Sequence, residues 1–402
     1  MGQSFVPHVV FGLDPMAVST VILLATYAAI IWDKLNRSIV ALLGASLMIL
    51  IGALDQDEAL RGIDWNTLGL LAGMMILVSI SRRSGMFQYV AIWSAQRARA
   101  SPAGILLLLQ LTTAVVSALL DNVTTVLLIV PVTLVITSEL DVPPYPFLFA
   151  EVFASNIGGT ATLIGDPPNI LIGSLAGLDF NAFILNLTPV VVVVMAAQAL
   201  IAHLLWGQAM RSTPTQRARV MAMRPVDAIL DPVLLEQATA VLAVVILAFI
   251  FARQLGVAPA TVAMAGAAVL MFLDNWQHHN EKQSANVHKT FSDVEWITIF
   301  FFIGLFVIVH GVEVGGLLGL LADKLVALTG GDLANAGYAV LWGSALLSAI
   351  IDNIPVVATL IPLIKSTAPA YGGRTSSCRC GGASRSGPAW AETAPSSARR
   401  RT

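Results

Sequence analysis

Long apolar runs separated by short polar segments are the dominant pattern of this 402-residue chain. The runs recur roughly every 25–35 residues, and most of them are long enough to cross the hydrocarbon core of a bilayer. They predict helices near 16–32, 38–54, 66–81, 102–120, 123–140, 187–206, 236–254, 258–274, 296–312, 334–351 and 354–366. The pattern predicts an all-α polytopic membrane protein with about ten or eleven apolar segments.

The pattern breaks between residues 141 and 186. Two short runs, FLFAEVFA and ILIGSLAGL, flank the polar stretch SNIGGTATLIGDPPN. A Gly- and Pro-rich backbone at membrane depth is tolerated only where it is buried in protein or lines a wet cavity. We therefore predict the break of a discontinuous helix that forms half of a substrate or ion site. The alternative is an ordinary loop outside the membrane.

The residue types in this stretch suit ligand binding. Glycines let the backbone approach a ligand closely, hydroxyl and amide side chains supply neutral donors and acceptors, and an aspartate supplies a carboxylate. The candidate binding residues are Ser155, Asn156, Gly158, Gly159, Thr160, Thr162, Asp166 and Asn169. Ser155, Asn156 and Thr160 are the candidates for Na⁺, although no firm metal site is predicted.

A second candidate element is LLDNVTTVLLIVP, in which Asp121 is flanked by apolar sequence. An ionisable residue within the membrane is costly and is a functional candidate by default. The alternative is a surface turn in which Asp121 and Asn122 cap the next helix. A re-entrant hairpin tip would satisfy both interpretations. The candidates here are Asp121, Asn122, Thr124 and Thr125, with Asp352 and Asn353 in the corresponding segment IIDNIPVVATLIP.

The chain repeats itself at an offset of 231 residues, at which the Asp-Asn pair of the first half recurs in the second. A fixed long period signals a duplicated unit. Further pairs at this offset are Trp65 and Trp296, Gly73 and Gly304, Gly85 and Gly316, Ser117 and Ser348, and Pro131 and Pro362.

Charge predicts that the two units face opposite sides of the membrane. The segment after the first unit's leading helix carries Arg82, Arg83, Arg97 and Arg99, whereas its partner carries Glu313, Asp323, Lys324 and Asp332. Cytoplasmic loops collect Lys and Arg, so the units form an inverted repeat, as in many secondary transporters. We predict a first repeat over 16–206, a cytoplasmic linker over 207–235, an incomplete second repeat over 236–368 and a tail over 369–402.

Composition supports membrane insertion. The chain is 56% hydrophobic and 11% charged, against roughly 25% charged residues in soluble domains. A net charge of −2 gives no reason to expect nucleic acid as a partner. The first fifteen residues contain no Lys or Arg, which predicts a retained first helix rather than a signal peptide. The two cysteines, Cys378 and Cys380, lie in the tail, so no disulfide or zinc framework and no cofactor is expected in the body of the chain.

The motifs DNVTTVLLIVPVT, SNIGGTATLIGDPPN and DNIPVVATLIP resemble the ion transporter superfamily, in the branch of the arsenite permeases, the NhaD sodium/proton antiporters and the melanosomal P protein. The resemblance covers about residues 17–363. It implies two inverted repeats with re-entrant hairpins and broken helices, and elevator-like alternating access. It also implies a first substrate or sodium site at Ser155, Asn156, Thr160 and Thr162, with Asp121 and Asn122 at the neighbouring hairpin.

The tail departs from the family pattern, because no second broken-helix loop follows Pro362. One permitted codon set for the end of the chain, read one base out of frame, encodes GGNGTLIGASAN, which mirrors GGTATLIGDPPN of the first half. We therefore interpret residues from about 369 onward as a disordered, out-of-frame translation of the second site. A chain with one complete half-site is expected not to transport.

The leading functional prediction is a secondary active transporter of a small inorganic anion or oxyacid, or of Na⁺/H⁺, in the cell membrane. Di- or tricarboxylate transport is the alternative within the superfamily. From a different class, an intramembrane aspartyl enzyme could use Asp121 and Asp352 as a carboxylate pair. The chain has no P-loop motif, so an ion gradient is the expected energy source unless a separate ATPase subunit is a partner. A homodimer is one assembly left open.

Overall fold

The computed structural model describes residue 7 and residues 9–276 and 279–371, and every regular element within them is helical. In the first half the helices are α1 (Pro15–Ile31), α2 (Arg37–Leu50), α3 (Gln56–Arg61), α4 (Trp65–Arg82), α5 (Met86–Arg97), α6 (Pro102–Ser117), α7 (Asn122–Leu140), α8 (Tyr145–Gly159), α9 (Pro167–Ala176), α10 (Phe180–Ala202) and α11 (Pro214–Ala222). In the second half they are α12 (Pro232–Leu255), α13 (Pro259–Asn275), α14 (Asn280–Ser292), α15 (Trp296–Gly315), α16 (Leu317–Thr329), α17 (Leu333–Ser348) and α18 (Asn353–Thr367).

Every apolar run that predicted a helix forms one. Six helices are long and apolar enough to cross a membrane, and four shorter apolar helices accompany them within the described residues. The largest difference in boundaries is at α10, which begins at residue 180 instead of 187. It begins earlier because the Asp179 side chain caps it, accepting a hydrogen bond from the backbone N–H of Ala182 at 2.8 Å. The chain is an all-α polytopic membrane protein.

The helix boundaries reproduce the 231-residue offset. Helices α6 and α17 correspond at both ends, and α7 and α18 begin at the equivalent residues Asn122 and Asn353. Gly85 and Gly316 both adopt left-handed backbone, with φ of 84° and 92°. Because L side chains disfavour that region, glycine suits the turn that follows α4 and α15. The duplication inferred from sequence is therefore present in the fold.

The two halves are interlocked rather than side by side. Helix α4 of the first half packs against α13, and α15 of the second half packs against α2. A Cβ added to Gly73 would lie 2.7 Å from the backbone carbon of Ala263, and one added to Gly304 would lie 2.6 Å from that of Ala41. Only glycine allows such close helix crossings, which explains why these two glycines occupy equivalent positions. Most of the buried leucine, isoleucine and phenylalanine side chains around these crossings belong to one large core.

The polar stretch interrupts a helix, as predicted. Helix α8 ends at Gly159 and α9 begins at Pro167, and these helices have 15 and 10 residues, fewer than the roughly 20 needed to span. Helix α8 packs against α6, α7 and α10, whereas α9 packs against α4 and α18. The break is thus held between the α6–α7 hairpin of the first repeat and the α17–α18 hairpin of the second.

The domain boundaries and the membrane orientation remain predictions. The predicted linker contains α11, which packs against α7 and places Arg219 3.8 Å from Glu139. Ala368–Tyr371 form a short 3-10 helix at the start of the predicted tail. The frameshift interpretation falls on residues 372–402, which lie outside the described residues.

Candidate functional site

The tip of the α6–α7 hairpin is built around one serine. The Ser117 hydroxyl lies 2.8 Å from Asn122 Oδ1 and 2.7 Å from the carbonyl oxygen of Ser155. Asp121 Oδ2 accepts a hydrogen bond from the backbone N–H of Thr124 at 2.9 Å. Asp121 is therefore the N-cap of α7 at the tip of a hairpin. The capping interpretation holds, and the functional role of Asp121 stays a prediction.

The polar loop between α8 and α9 is hydrogen-bonded to the tip of the α6–α7 hairpin. The Thr162 hydroxyl donates to the carbonyl oxygen of Ala118 at 2.5 Å and accepts from the backbone N–H of Gly165 at 3.2 Å. Thr162 is buried, so its hydrogen bonds are shielded from water. Thr162 connects the loop to the hairpin, and its role in ligand binding stays a prediction.

Asn169 satisfies the end of α8. Its Nδ2 atom lies 3.3, 3.2 and 2.8 Å from the carbonyl oxygens of Gly159, Thr160 and Thr162. The last turn of a helix leaves carbonyl groups without intrahelical partners, and a buried amide can satisfy them in the absence of water. Asn169 therefore holds the two halves of the discontinuous helix in register.

The glycines of the stretch make room for the protein's own backbone. A Cβ on Gly158 would lie 2.2 Å from the carbonyl oxygen of Ala114, and one on Gly165 would lie 2.7 Å from that of Ser117. On Gly159 it would lie 2.2 Å from Asn122 Oδ1. The structure thus shows close approach to the α6–α7 hairpin, and close approach to a ligand stays a prediction.

Acidic side chains from both repeats meet at the break. Asp166, at the start of α9, interacts with the Asn122 side chain and lies within electrostatic range of both Asp121 and Asp352. In the second hairpin the Ser348 hydroxyl bonds to Asn353 Oδ1, as Ser117 does to Asn122. The two repeats thus bring equivalent hairpin tips to one acidic cluster, which we define as Asp121, Asp166 and Asp352.

Among the described residues, Arg37 is the cation paired with this cluster, and it breaks the symmetry of the repeats. Arg37, at the start of α2, places Nη1 2.8 Å from Asp352 Oδ2. The Arg37 guanidinium also lies over the ring of Phe301, 5.2 Å from its centroid. Asp121, by contrast, caps its own helix. Sequence reasoning missed Arg37, because nothing near it in the chain points to a partner more than 300 residues away.

The predicted Na⁺ ligands are divided between two faces of α8. Ser155 is buried and its hydroxyl donates to the carbonyl oxygen of Val152 at 2.9 Å, whereas Asn156 and Thr160 are exposed. The Thr160 hydroxyl donates to the carbonyl oxygen of Asn156 at 2.9 Å. Within the described residues, no group of three His, Cys, Asp or Glu side chains is arranged to hold a metal. Sodium at this triad remains a prediction.

Of the two hairpin threonines, Thr124 is half-buried and Thr125 is fully buried.

Asn156→Ala and Thr160→Ala are expected to weaken substrate binding without loss of folding. Each removes an exposed polar group beside the break. A hydrogen bond from such a group to a ligand would contribute about 0.5–1.5 kcal/mol, or roughly two- to tenfold in affinity. Uptake into proteoliposomes measures the effect. Asn186→Ala is the matched control, since that exposed amide donates within its own helix, to the carbonyl oxygen of Ala182. Wild-type uptake by both variants at normal expression would show that the substrate site lies elsewhere.

Comparison with known proteins covers most of the chain. The sequence pattern of the family described as "Citrate transporter" matches residues 27–378. An uncharacterized transporter of Mycobacterium tuberculosis is 43% identical over 363 residues, covering 89% of this chain and 82% of that protein. The 46 kDa membrane protein of Mycobacterium leprae is 41% identical over 86% of this chain and 80% of its own length. The human P protein is 31% identical over 87% of this chain and 50% of its own length.

Proposed function

Because the chain belongs to the citrate transporter family, we propose that it is a secondary active transporter that binds a small ion and a coupling cation between its two repeats. Family and relatives identify a multi-pass membrane transporter of the cell membrane. The finer assignments, which are the coupling ion, the substrate and the site, are our proposal. The discontinuous helix held between two hairpins supports it, because helix ends within the membrane are the usual ion and substrate sites of such transporters.

The observation that carries the proposal is the charge balance at the break. The acidic cluster has three carboxylates, and Arg37 pairs with only one of them. Carboxylates of like charge that lie near one another in a medium of low dielectric constant disfavour one another's charged form. A bound Na⁺ or proton would offset that repulsion. We therefore propose cation coupling at Asp121 and Asp166, the two carboxylates of the cluster for which the described residues show no ion pair.

Two substrate classes fit around this cation. Exchange of Na⁺ for H⁺ needs only the acidic cluster. A small oxyacid or a di- or tricarboxylate would also need a cationic group, and the planar fork of Arg37 suits a carboxylate. The family description favours the carboxylate. Since Arg37 is bound to Asp352, such a substrate would compete with Asp352 for the guanidinium.

Transport by purified protein in proteoliposomes tests the proposal. We would compare citrate, dicarboxylates, arsenite and Na⁺/H⁺ exchange under imposed Na⁺ and pH gradients, with the 402-residue chain and with a frame-restored form. Gradient-driven movement of one of these solutes by the frame-restored form is expected. No movement of any of them at normal expression would contradict the proposal, and movement by the 402-residue chain would contradict the predicted inactivity.

Arg37→Gln is expected to raise the KM for a carboxylate substrate about tenfold or more, because a bidentate charge-assisted pair is lost. Its dependence on Na⁺ or H⁺ should change less, since Arg37 pairs with Asp352 and not with the proposed cation residues Asp121 and Asp166. Arg61→Gln is the matched control, because Arg61 is an exposed arginine that pairs with Glu58. An unchanged carboxylate KM in Arg37→Gln would favour Na⁺/H⁺ exchange as the activity.

The geometry gives less support to the enzyme class. An aspartyl dyad needs two carboxylates that share one proton. Here Asp121 caps α7, whereas Asp352 is paired with Arg37.

A homodimer or an ATPase partner remains a prediction that size and pull-down measurements can test.

A further inference from the structure

Glu151 is a fully buried carboxyl group in the middle of α8, in the predicted membrane interior. Its Oε1 atom accepts a hydrogen bond from the Thr133 hydroxyl of α7 at 2.6 Å. Its Oε2 atom is buried and has no hydrogen-bond partner. The sequence places Glu151 in a short apolar run, and the site described above does not use it.

Within the part of the chain that the structure describes, the Glu151 carboxyl group takes part in no ion pair. Helix α8 packs against α6, α7 and α10, and α6 and α10 contain no Asp, Glu, Lys, Arg or His. The ionisable residues associated with α7 lie near its ends. Asp121 caps the helix by accepting from the backbone N–H of Thr124, and Glu139 pairs with Arg219. On α8 itself only Tyr145, at the exposed start, can titrate. His203 follows the end of α10, where its ring lies against Gly207.

The same bundle has an excess of buried acceptors. Gln110 Oε1 on α6 and Gln198 Oε1 on α10 are buried without a donor, like Glu151 Oε2. The Gln198 amide nitrogen donates to the carbonyl oxygen of Ala150, the residue before Glu151. An ionised carboxylate buried without a partner charge costs several kcal/mol, and each unpaired polar atom adds to that cost. One proton on Glu151 removes the charge and supplies a donor.

We propose that Glu151 is a proton-binding residue of the membrane interior that carries its proton at neutral pH. A proton needs one oxygen, whereas a hard cation such as Ca²⁺ takes about six. Glu151 lies one helical turn before Ser155, whose carbonyl oxygen is held by the α6–α7 hairpin. The site is therefore separate from the acidic cluster, whose three carboxylates lie at the starts of α7, α9 and α18, whereas Glu151 lies within α8. This inference goes beyond the proposed function and can be tested without transport.

Infrared difference spectroscopy of the purified full chain in lipid tests it. A protonated carboxylic acid has a C=O band that a carboxylate lacks. At neutral pH the wild type should show this band, and Glu151→Gln should lose the amplitude of one carboxyl group. Glu139→Gln is the matched control and should keep the band, because Glu139 is exposed and paired with Arg219.

A second variant keeps the proposal testable if Glu151→Gln does not fold. Thr133→Val retains Glu151 but removes the hydroxyl that donates to Oε1, so the band should shift to higher frequency. A band that is absent from the wild type at neutral pH, or unaffected by both Glu151→Gln and Thr133→Val, would overturn the proposal. Loss of the band on addition of Na⁺ at constant pH would overturn it in favour of a cation site.

Discussion

Gly73→Val is expected to destabilise the folded chain by about 1–3 kcal/mol, and Gly304→Val by a similar amount. Each new side chain would begin less than 3 Å from the backbone of the helix it crosses, at Ala263 in one case and Ala41 in the other. The helices would have to move apart, and the interlocked core of the two halves would lose contact. Thermal unfolding of the purified variants in detergent measures the loss.

Gly319→Ala is the control for this pair. Gly319 lies within α16, and a Cβ there would meet nothing within 4 Å, so alanine should be neutral or stabilising by up to about 1 kcal/mol. Destabilisation by Gly73→Val without a comparable effect of Gly304→Val would contradict the equivalence of the two crossings. Equal tolerance of both valines would contradict the packing itself.

Asn169→Ala is expected to have the largest effect on transport, abolishing it in the frame-restored form. The substitution leaves buried carbonyl groups at the end of α8 without the amide that reaches three of them, at a cost of about 1–3 kcal/mol. The break would then lose its fixed geometry, and with it the position of Asp166. Uptake into proteoliposomes and thermal unfolding would be measured on the same preparation.

The matched control is Asn181→Ala. The Asn181 amide is part-buried, whereas Asn169 is buried. Asn181 also donates to a backbone carbonyl, that of Ile250, at 2.8 Å, but it connects α10 to α12 away from the break. Asn181→Ala should lose comparable stability and keep transport. Wild-type transport by Asn169→Ala at unchanged stability would show that Asn169 does not position the site.

The helices could be predicted from the sequence because their causes are local. A segment surrounded by lipid must be apolar over its length and must satisfy its backbone hydrogen-bonding groups within itself. Each apolar run between residues 16 and 366 therefore predicts a helix. The interruption at 160–166 is local in the same way, since Gly and Pro act on their own backbone. The 231-residue offset is also visible in sequence, because equivalent turns need equivalent residues, such as Gly85 and Gly316.

Only the tertiary structure shows which of these elements meet. The pairing of Arg37 with Asp352 joins segments far apart in sequence, and the burial of Glu151 against Thr133 depends on how two consecutive helices pack. A helical residue's neighbours are set by how its helix is rotated against the next one, which also separates Ser155 from Asn156 on α8. The sequence by itself thus determined the helices, the duplication and the polar break. Packing decided which carboxylates are paired, because charge and burial depend on contacts that no local pattern encodes.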